Sequence, residues 1–162
     1  MSPPAKNSHC SYCGTIFPQG PWPRTCANCG QTSWLNPLPV AVVLVPVGNG
    51  LLTVRRSIPP RIGELALPGG FINVGESWQQ AGAREVFEET GVTIDPATIR
   101  DFRVLSAPDG TVLIFGLAAP LAGGAPALVA NEEVSELVVL ERPAPLAFSL
   151  HTQVVDEYFN KR

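Results

Sequence analysis

The sequence predicts an α/β domain with a mixed sheet, preceded by a small cysteine ribbon, and three observations point there. All four cysteines cluster within residues 10–29. Apolar, β-branched runs separated by Gly- and Pro-containing turns begin near Leu38. A capped, glutamate-rich helical segment follows at Trp78–Thr90. A chain of 162 residues accommodates one core-forming domain and a small appended module, and its 45% apolar content is enough to bury a core. The expected division is a ribbon over residues 1–36 and the main domain over residues 37–162.

Composition excludes several classes of function. Charged residues are 15% of the chain, and 17 Pro with 15 Gly read as rigid turns rather than low complexity. A net charge of −3 leaves no basic excess to draw the chain onto nucleic acid or an anionic membrane. The longest apolar run, residues 40–45, lies between Pro39 and Pro46, far short of the roughly 20 residues that span a bilayer as a helix. Residues 1–7 hold no apolar signal region. The expectation is a soluble, cytoplasmic protein with no membrane partner, its cysteines in a reducing compartment where disulfides are rare.

The cysteines form two knuckles, Cys10-x2-Cys13 and Cys26-x2-Cys29, separated by twelve residues. Four thiolates at this spacing close a tetrahedron around zinc and leave no open position for substrate. Gly14 and Gly30 follow the knuckles and let the backbone curl beneath the metal. The segment is otherwise polar and Pro-rich, so the metal would supply its folding energy. Two disulfides, or a redox CxxC, are the competing readings. Residues 1–36 carry only Lys6 and Arg24 as charged side chains, too few for a phosphate-binding face. Trp22 and Trp34 offer stacking surfaces, but a small ribbon needs aromatic rings to cover its knuckles. His9 abuts Cys10, yet the cysteine set is complete without it.

In the main domain, residues 40–45 read as a buried strand, Gly48-Asn49-Gly50 as a hairpin turn and residues 51–55 as the return strand. Thr111–Leu117 follows the turn Pro108-Asp109-Gly110, and Val134–Leu140 is a further strand. Residues 121–130 form a Gly/Pro/Ala loop, and residues 154–159 a short terminal helix. Ser77 with Gln80 three residues on is a capping box, and Gly91 is a natural stop, which sets the central helix at Trp78–Thr90.

Glu85, Glu88 and Glu89 share one stripe of that helix at about 100° per residue. Trp78, Ala81 and Gly82 continue the stripe, the last two leaving room for something to approach the acids. Ala83, Val86 and Phe87 lie behind it and are expected to pack on the sheet. Acids at i, i+3 and i+4 repel one another, and the helix holds no lysine, Arg84 being its one base. A hard divalent cation, Mg²⁺ or Mn²⁺, resolves the repulsion most simply; a plain solvated acidic face is the alternative.

The surrounding pattern is more specific. Gly70-x5-Glu76-x7-Arg84-Glu85-Val86-Phe87-Glu88-Glu89-Thr90-Gly91-Val92 matches the signature of the Nudix hydrolase superfamily at every specified position. From about Leu38 to its end the chain resembles a Nudix hydrolase. The resemblance implies an α/β/α sandwich and Mg²⁺-dependent hydrolysis of a nucleoside diphosphate linked to another group. It implies Glu85, Glu88 and Glu89 as metal ligands with the Gly69 carbonyl, Arg84 as their orienting partner and Glu76 as the brace of the loop. Gly70, Glu76 and Arg55 are the expected substrate-side positions. In this family a base or additional ligand often comes from a glutamate outside the box. Asn131-Glu132-Glu133-Val134-Ser135-Glu136 lies in the corresponding region, with Glu133 favoured, Glu136 second and Glu132 facing solvent.

Arg55 and Arg56 end the return strand, where alternation allows at most one of them to reach phosphate. His151 is read as structural before functional, and Trp78 as packing at the helix start. The ribbon followed by the box narrows the resemblance to the NADH pyrophosphatase-like branch. That branch carries a Ser-Gln-Pro-Trp motif after the box, where this chain has Ser106-Ala107-Pro108-Asp109-Gly110. The nicotinamide preference therefore does not carry over, and ADP-ribose, FAD, NADH, a nucleotide sugar or another dinucleotide all fit. A nucleotide sensor without turnover is the second reading, set back because every box acid is retained. A zinc-ribbon nucleic-acid adaptor and an RNA-cap substrate are set back by the shortage of Lys and Arg. Nudix domains frequently pair as homodimers, although no interface is legible here.

Overall fold

The computed structural model describes residues 5–122, 124, 126–127 and 131–161. It divides into two units, Met1–Pro37 and Leu38–Arg162.

In the first unit the two knuckles fold alike. Gly14 N–H donates to Cys10 O at 3.0 Å and Gly30 N–H to Cys26 O at 2.8 Å; Cys10 and Cys26 N–H donate to Thr15 O and Gln31 O at 2.8 and 2.9 Å. Gly14 and Gly30 sit at φ 74° and 72°, a left-handed conformation in which any Cβ is strained. Strands β1 (Arg24–Thr25) and β2 (Thr32–Ser33) pair antiparallel beside them. Cys10, Phe17 and Cys26 make the small core, and Trp22 packs edge-on to Phe17 at 5.9 Å. Trp34 departs from the expected role of covering a knuckle: it is 66% exposed.

The second unit runs β3 (Leu38–Leu44), β4 (Pro46–Val47), β5 (Gly50–Arg56), β6 (Leu65–Ala66), β7 (Gly69–Phe71), α1 (Trp78–Thr90), a 3-10 turn (Pro96–Thr98), β8 (Arg100–Ser106), β9 (Thr111–Leu117), β10 (Val134–Leu140) and α2 (Ser149–Asn160). One sheet has the order β7-β3-β9-β8 and is mixed, since β3 pairs parallel with β9 while its other neighbours are antiparallel. The second has the order β10-β5-β4, with β6 also on β5. Alternation explains why β3 reads as an unbroken apolar run. Val42 and Leu44 join Leu51, Phe115 and α2's Val154 and Val155 on one side. Val43 and Val45 join Leu52 and α1's Val86 on the other. Each side of the strand meets a helix, the α/β/α sandwich expected of the sequence.

The α1 termini form as the sequence predicts. Ser77 Oγ accepts from Gln80 N–H at 3.2 Å, Gln80 Oε1 accepts from Ser77 N–H at 2.7 Å, and Gly91 closes the helix at φ 72°. Its faces do not. Ala81 and Gly82 are buried, and a Cβ on Gly82 would stand 2.7 Å from Val43 Cγ2. They allow α1 to lie close on β3 and leave no space beside the acids. Phe87, expected on the sheet, is 56% exposed. Strand β8 had no counterpart in the sequence reading: its charged, half-polar run Arg-Asp-Phe-Arg-Val-Leu-Ser lies at a sheet edge. Helix α2 begins at Ser149, a turn earlier than expected. Of the expected loop at 121–130, residues 123, 125 and 128–130 lie outside the described residues, as do residues 1–4 of the N-terminal stretch. Among the described residues, no helix is long and apolar enough to cross a membrane.

Candidate active site

The box folds as strand β7, a loop and helix α1, and its two glycines are required by what they touch. β7 runs antiparallel to β3, with Ala41 opposite Gly70 and Val42 opposite Gly69. A Cβ on Gly69 would lie 2.7 Å from Val42 Cα, and one on Gly70 would lie 2.5 Å from Glu85 Cδ. With neither side chain present, the main chain sits flush between β3 and the helix. Gly69 N–H then donates to Glu89 Oε2 at 3.0 Å.

Arg84 is the hub. Its Nε and Nη2 donate to the two oxygens of Glu76 at 3.2 and 2.7 Å. Nη1 donates to Glu85 Oε1 at 2.7 Å and Glu88 Oε2 at 3.1 Å, and Nη2 also reaches Phe71 O at 3.0 Å. One guanidinium thus joins the loop to both turns of acid.

The acids occupy the C-terminal half of α1, where the helix dipole disfavours negative charge, and the last turn holds no basic residue. Burial raises the Glu89 carboxyl to about 8, reinforced by the charges of Glu85 and Glu133 and opposed by Gly69 N–H and Arg56. Burial also raises Glu85, with Arg84 opposing. Hydrogen bonds from Arg84 hold Glu76 down at about 2. Glu89 is therefore an acid whose neutral form burial favours. Glu85, Glu88, Glu89 and Glu133 offer the hard oxygen donors that suit a divalent cation.

Outside the box the structure separates the candidates. Glu133 lies close enough for its charge to raise both Glu85 and Glu89. Its amide donates to Asn131 Oδ1 at 3.0 Å, and its carbonyl accepts from Ser57 N–H at 2.7 Å. Glu136 instead pairs with Arg55 Nε at 2.6 Å, and Arg55 Nη1 donates to Gly63 O at 2.9 Å. These two candidates bind each other. Glu132 is exposed.

Arg56, the other member of the pair, lines a groove of about 580 Å³ together with Arg61, Gly69, Gly70, Phe71 and Phe148. Its guanidinium lies 5.2 Å from the Phe148 ring centre, and Nε donates to Pro60 O at 2.8 Å. Ala107, Pro108 and Asp109, which stand where the branch motif would be, line the same groove. His151 is buried at its base. Nδ1 accepts from Leu67 N–H at 3.3 Å, the ring meets Phe115 edge-on, and burial drives its pKa down to about 3. It is a neutral core histidine. Trp78 lies against Gly116, where an added Cβ would be 2.8 Å from the indole.

Sequence reasoning missed two residues. Arg56 was legible as one of a pair, but strand alternation alone does not say which member faces the groove. In the sequence Asn131 stands out only as the start of an acidic segment. An Asn three residues before a strand is the available signal for a side chain that folds back on its own backbone.

In the first unit the cysteines are unbridged. Their sulfurs approach at 3.7 Å (Cys10–Cys29) and 3.6 Å (Cys13–Cys26), and all four lie within 4.8 Å of one another, a set able to coordinate a metal. Among the described residues no other His, Cys, Asp or Glu group converges as tightly; Glu85 and Glu88 are turned onto Arg84 instead.

A family profile described as the NUDIX domain matches residues 36–155. The NAD-capped RNA hydrolase NudC of Edwardsiella ictaluri is 34% identical over 87 residues, 52% of this chain and 34% of that protein. The NAD-capped RNA hydrolase NudC of Haemophilus influenzae (strain PittGG) is 36% identical over 89 residues, with the same coverage of each chain. The match spans about a third of the length of these curated relatives. Among solved structures, a NUDIX hydrolase from Nitrosomonas europaea shares the fold, with TM-score 0.75, 24% identity and coverage of 96% of this chain and 92% of that one. A bifunctional NMN adenylyltransferase/ADP ribose pyrophosphatase from Francisella tularensis, in complex with AMP and a manganese ion, has TM-score 0.57 and 26% identity, covering 75% and 37%.

Proposed function

The chain belongs to the Nudix family, and from that premise we propose that it hydrolyses the pyrophosphate bond of a nucleoside diphosphate linked to another moiety. ADP-ribose, FAD and NADH-like dinucleotides are the substrate class. The observation that carries this reading is the convergence of Glu89, buried and held by Gly69 N–H, with Glu85 and the charge of Glu133, where Gly69 and Gly70 also border a groove. The Francisella relative, in complex with AMP and manganese, supports the choice of an adenine nucleotide and a divalent ion.

Glu85, Glu88, Glu89 and the Gly69 carbonyl would hold Mg²⁺ or Mn²⁺, with Glu133 beside them. Bound there, such an ion would supply charge neutralisation to the phosphate oxygens and lower the pKa of a water. Arg84 orients Glu85 and Glu88 and fixes the loop through Glu76. Glu133 receives the proton of the attacking water. The groove beside Gly70 takes the nucleoside, and Arg56 and Arg61 are cations on its wall. In the ribbon we assign zinc to Cys10, Cys13, Cys26 and Cys29. Four thiolates about 2.3 Å from a tetrahedral zinc stand about 3.8 Å apart, close to the 3.7 and 3.6 Å found between sulfurs.

The test is a panel of ADP-ribose, FAD, NADH, nucleotide sugars, nucleoside triphosphates and NAD-capped RNA with Mg²⁺ or Mn²⁺. Release of two monophosphate products from a dinucleotide supports the reading. Tight nucleotide binding with no turnover on any member favours a sensor instead.

A further inference from the structure

We propose that Asn131 is a positioning residue, setting Glu133 against the box glutamates by tying the segment before β10 to the end of α1. The inference rests on the reading of Glu133 as the acid outside the box. Asn131 Nδ2 donates to the carbonyls of Glu88 and Glu89 at 3.4 and 3.2 Å. Its Oδ1 accepts from the amides of Glu133 and Val134 at 3.0 and 2.8 Å.

Both halves of the amide have a reason to be where they are. The last carbonyls of a helix lack intrahelical partners, and α1 has no basic residue in its last turn to meet them. The first amides of a strand entering a sheet at a bend need an acceptor. A short planar group carrying donor and acceptor back to back satisfies both at once, and asparagine is the smallest side chain that has one. Glu133 is pinned from the other side too, because its carbonyl accepts from Ser57 N–H just beyond β5. Its backbone is thus suspended between the end of β5 and the end of α1. One of the two α1 carbonyls that Asn131 grips belongs to Glu89, whose carboxyl feels the charge of Glu133. Asn131 is thus the side chain that fixes the segment before β10 to α1, while Ser57 fixes it to the end of β5.

Asn131→Asp is the sharpest variant. It keeps an acceptor for Glu133 and Val134 but replaces the donor with an oxygen facing two carbonyls. Turnover of ADP-ribose with Mg²⁺ is measured for Asn131→Asp, Glu133→Gln and the double variant. The expected result is a fall in kcat of about tenfold or more for each single variant, KM within about threefold, and a double variant no slower than the slower single. Multiplying losses in the double variant would overturn the inference, as would wild-type kcat in Asn131→Asp beside a crippled Glu133→Gln; both leave the role of Glu133 intact. Wild-type kcat in Glu133→Gln overturns that role and the inference with it. Amide hydrogen exchange on Asn131→Ala, without metal or substrate, gives a reading independent of turnover. Faster exchange confined to the amides of Glu133 and Val134 is expected, and unchanged exchange there overturns the inference.

Discussion

Arg84 grips Glu76 at two points, Nε to Oε2 at 3.2 Å and Nη2 to Oε1 at 2.7 Å, across seven intervening residues, six of which form the start of α1. The fork matters because the same guanidinium has edges left for Glu85, Glu88 and Phe71 O. A lysine keeps the charge but has no planar fork to span these partners. Arg84→Lys is expected to lower kcat/KM by at least about tenfold while the protein stays folded. Steady-state kinetics with a thermal melt checks this, and activity within about threefold of wild type would remove Arg84 from its place as hub.

Gly70 separates activity from stability. A Cβ there overlaps the Glu85 carboxylate, the far end of a side chain that can swing away. Gly70→Ala should therefore displace Glu85 and cost turnover, with little change in Tm. Gly82→Ala drives its Cβ into Val43 Cγ2 at 2.7 Å, inside the core. Overpacking of about 1–3 kcal/mol there outweighs the helix propensity gained, so Tm should fall. Melting and kinetics on both variants test the contrast; the reverse pattern would contradict it.

His151 predicts the shape of the acid limb of stability. Its pKa lies near 3 in the folded chain against an ordinary 6.5. Between those values the unfolded chain binds the extra proton, so the contribution of this group falls as pH drops below 6.5 and is fully present above it. Glu89, raised to about 8, contributes in the opposite sense between about 8 and 4.5. The slope approaches about 1.4 kcal/mol per pH unit for the histidine alone. Glu76 adds to the loss at lower pH, below about 4.5, because its folded pKa is depressed to about 2. Urea melts from pH 7 to 4.5 on wild type and His151→Gln isolate the histidine. The variant should be less stable at pH 7, and the gap between it and wild type should narrow as pH falls; a gap that stays constant would refute the buried neutral imidazole.

Metal removal should act on the ribbon by itself. Protein purified without chelators is expected to hold one zinc per chain, lost in Cys26→Ser. Trp22 packs on Phe17 beside the cysteines, so its emission should shift to the red on chelation as the ribbon unfolds. Substoichiometric zinc, or unchanged emission after its removal, would contradict the assignment.

Much of the fold could be read in advance where local chemistry decides it. Ser77, Gln80 and Gly91 specify α1 through their own side chains and backbone, and the apolar alternation of β3 needs only its two covered faces. Strand β8 was hidden because an edge strand with charged residues has no pattern that separates it from a loop. The exposure of Phe87 and the burial of Gly82 followed from how closely α1 sits on Val43, a distance that no helical periodicity contains. At the site, the box residues were legible from spacing. The divergence of Glu133 from Glu136, and of Arg56 from Arg55, depended on strand pairing across about 80 residues of sequence.

Glu89 and its neighbours are proposed to hold the ion for pyrophosphate hydrolysis. The most direct test is the initial rate of monophosphate release from ADP-ribose, FAD and NADH with saturating Mg²⁺, for wild type and Glu89→Gln side by side. The expected result is turnover of at least one of these substrates by the wild type, cut by about a hundredfold or more in Glu89→Gln without loss of folding. Hydrolysis unaffected by Glu89→Gln, or no hydrolysis by a folded wild type that binds these nucleotides, would contradict it.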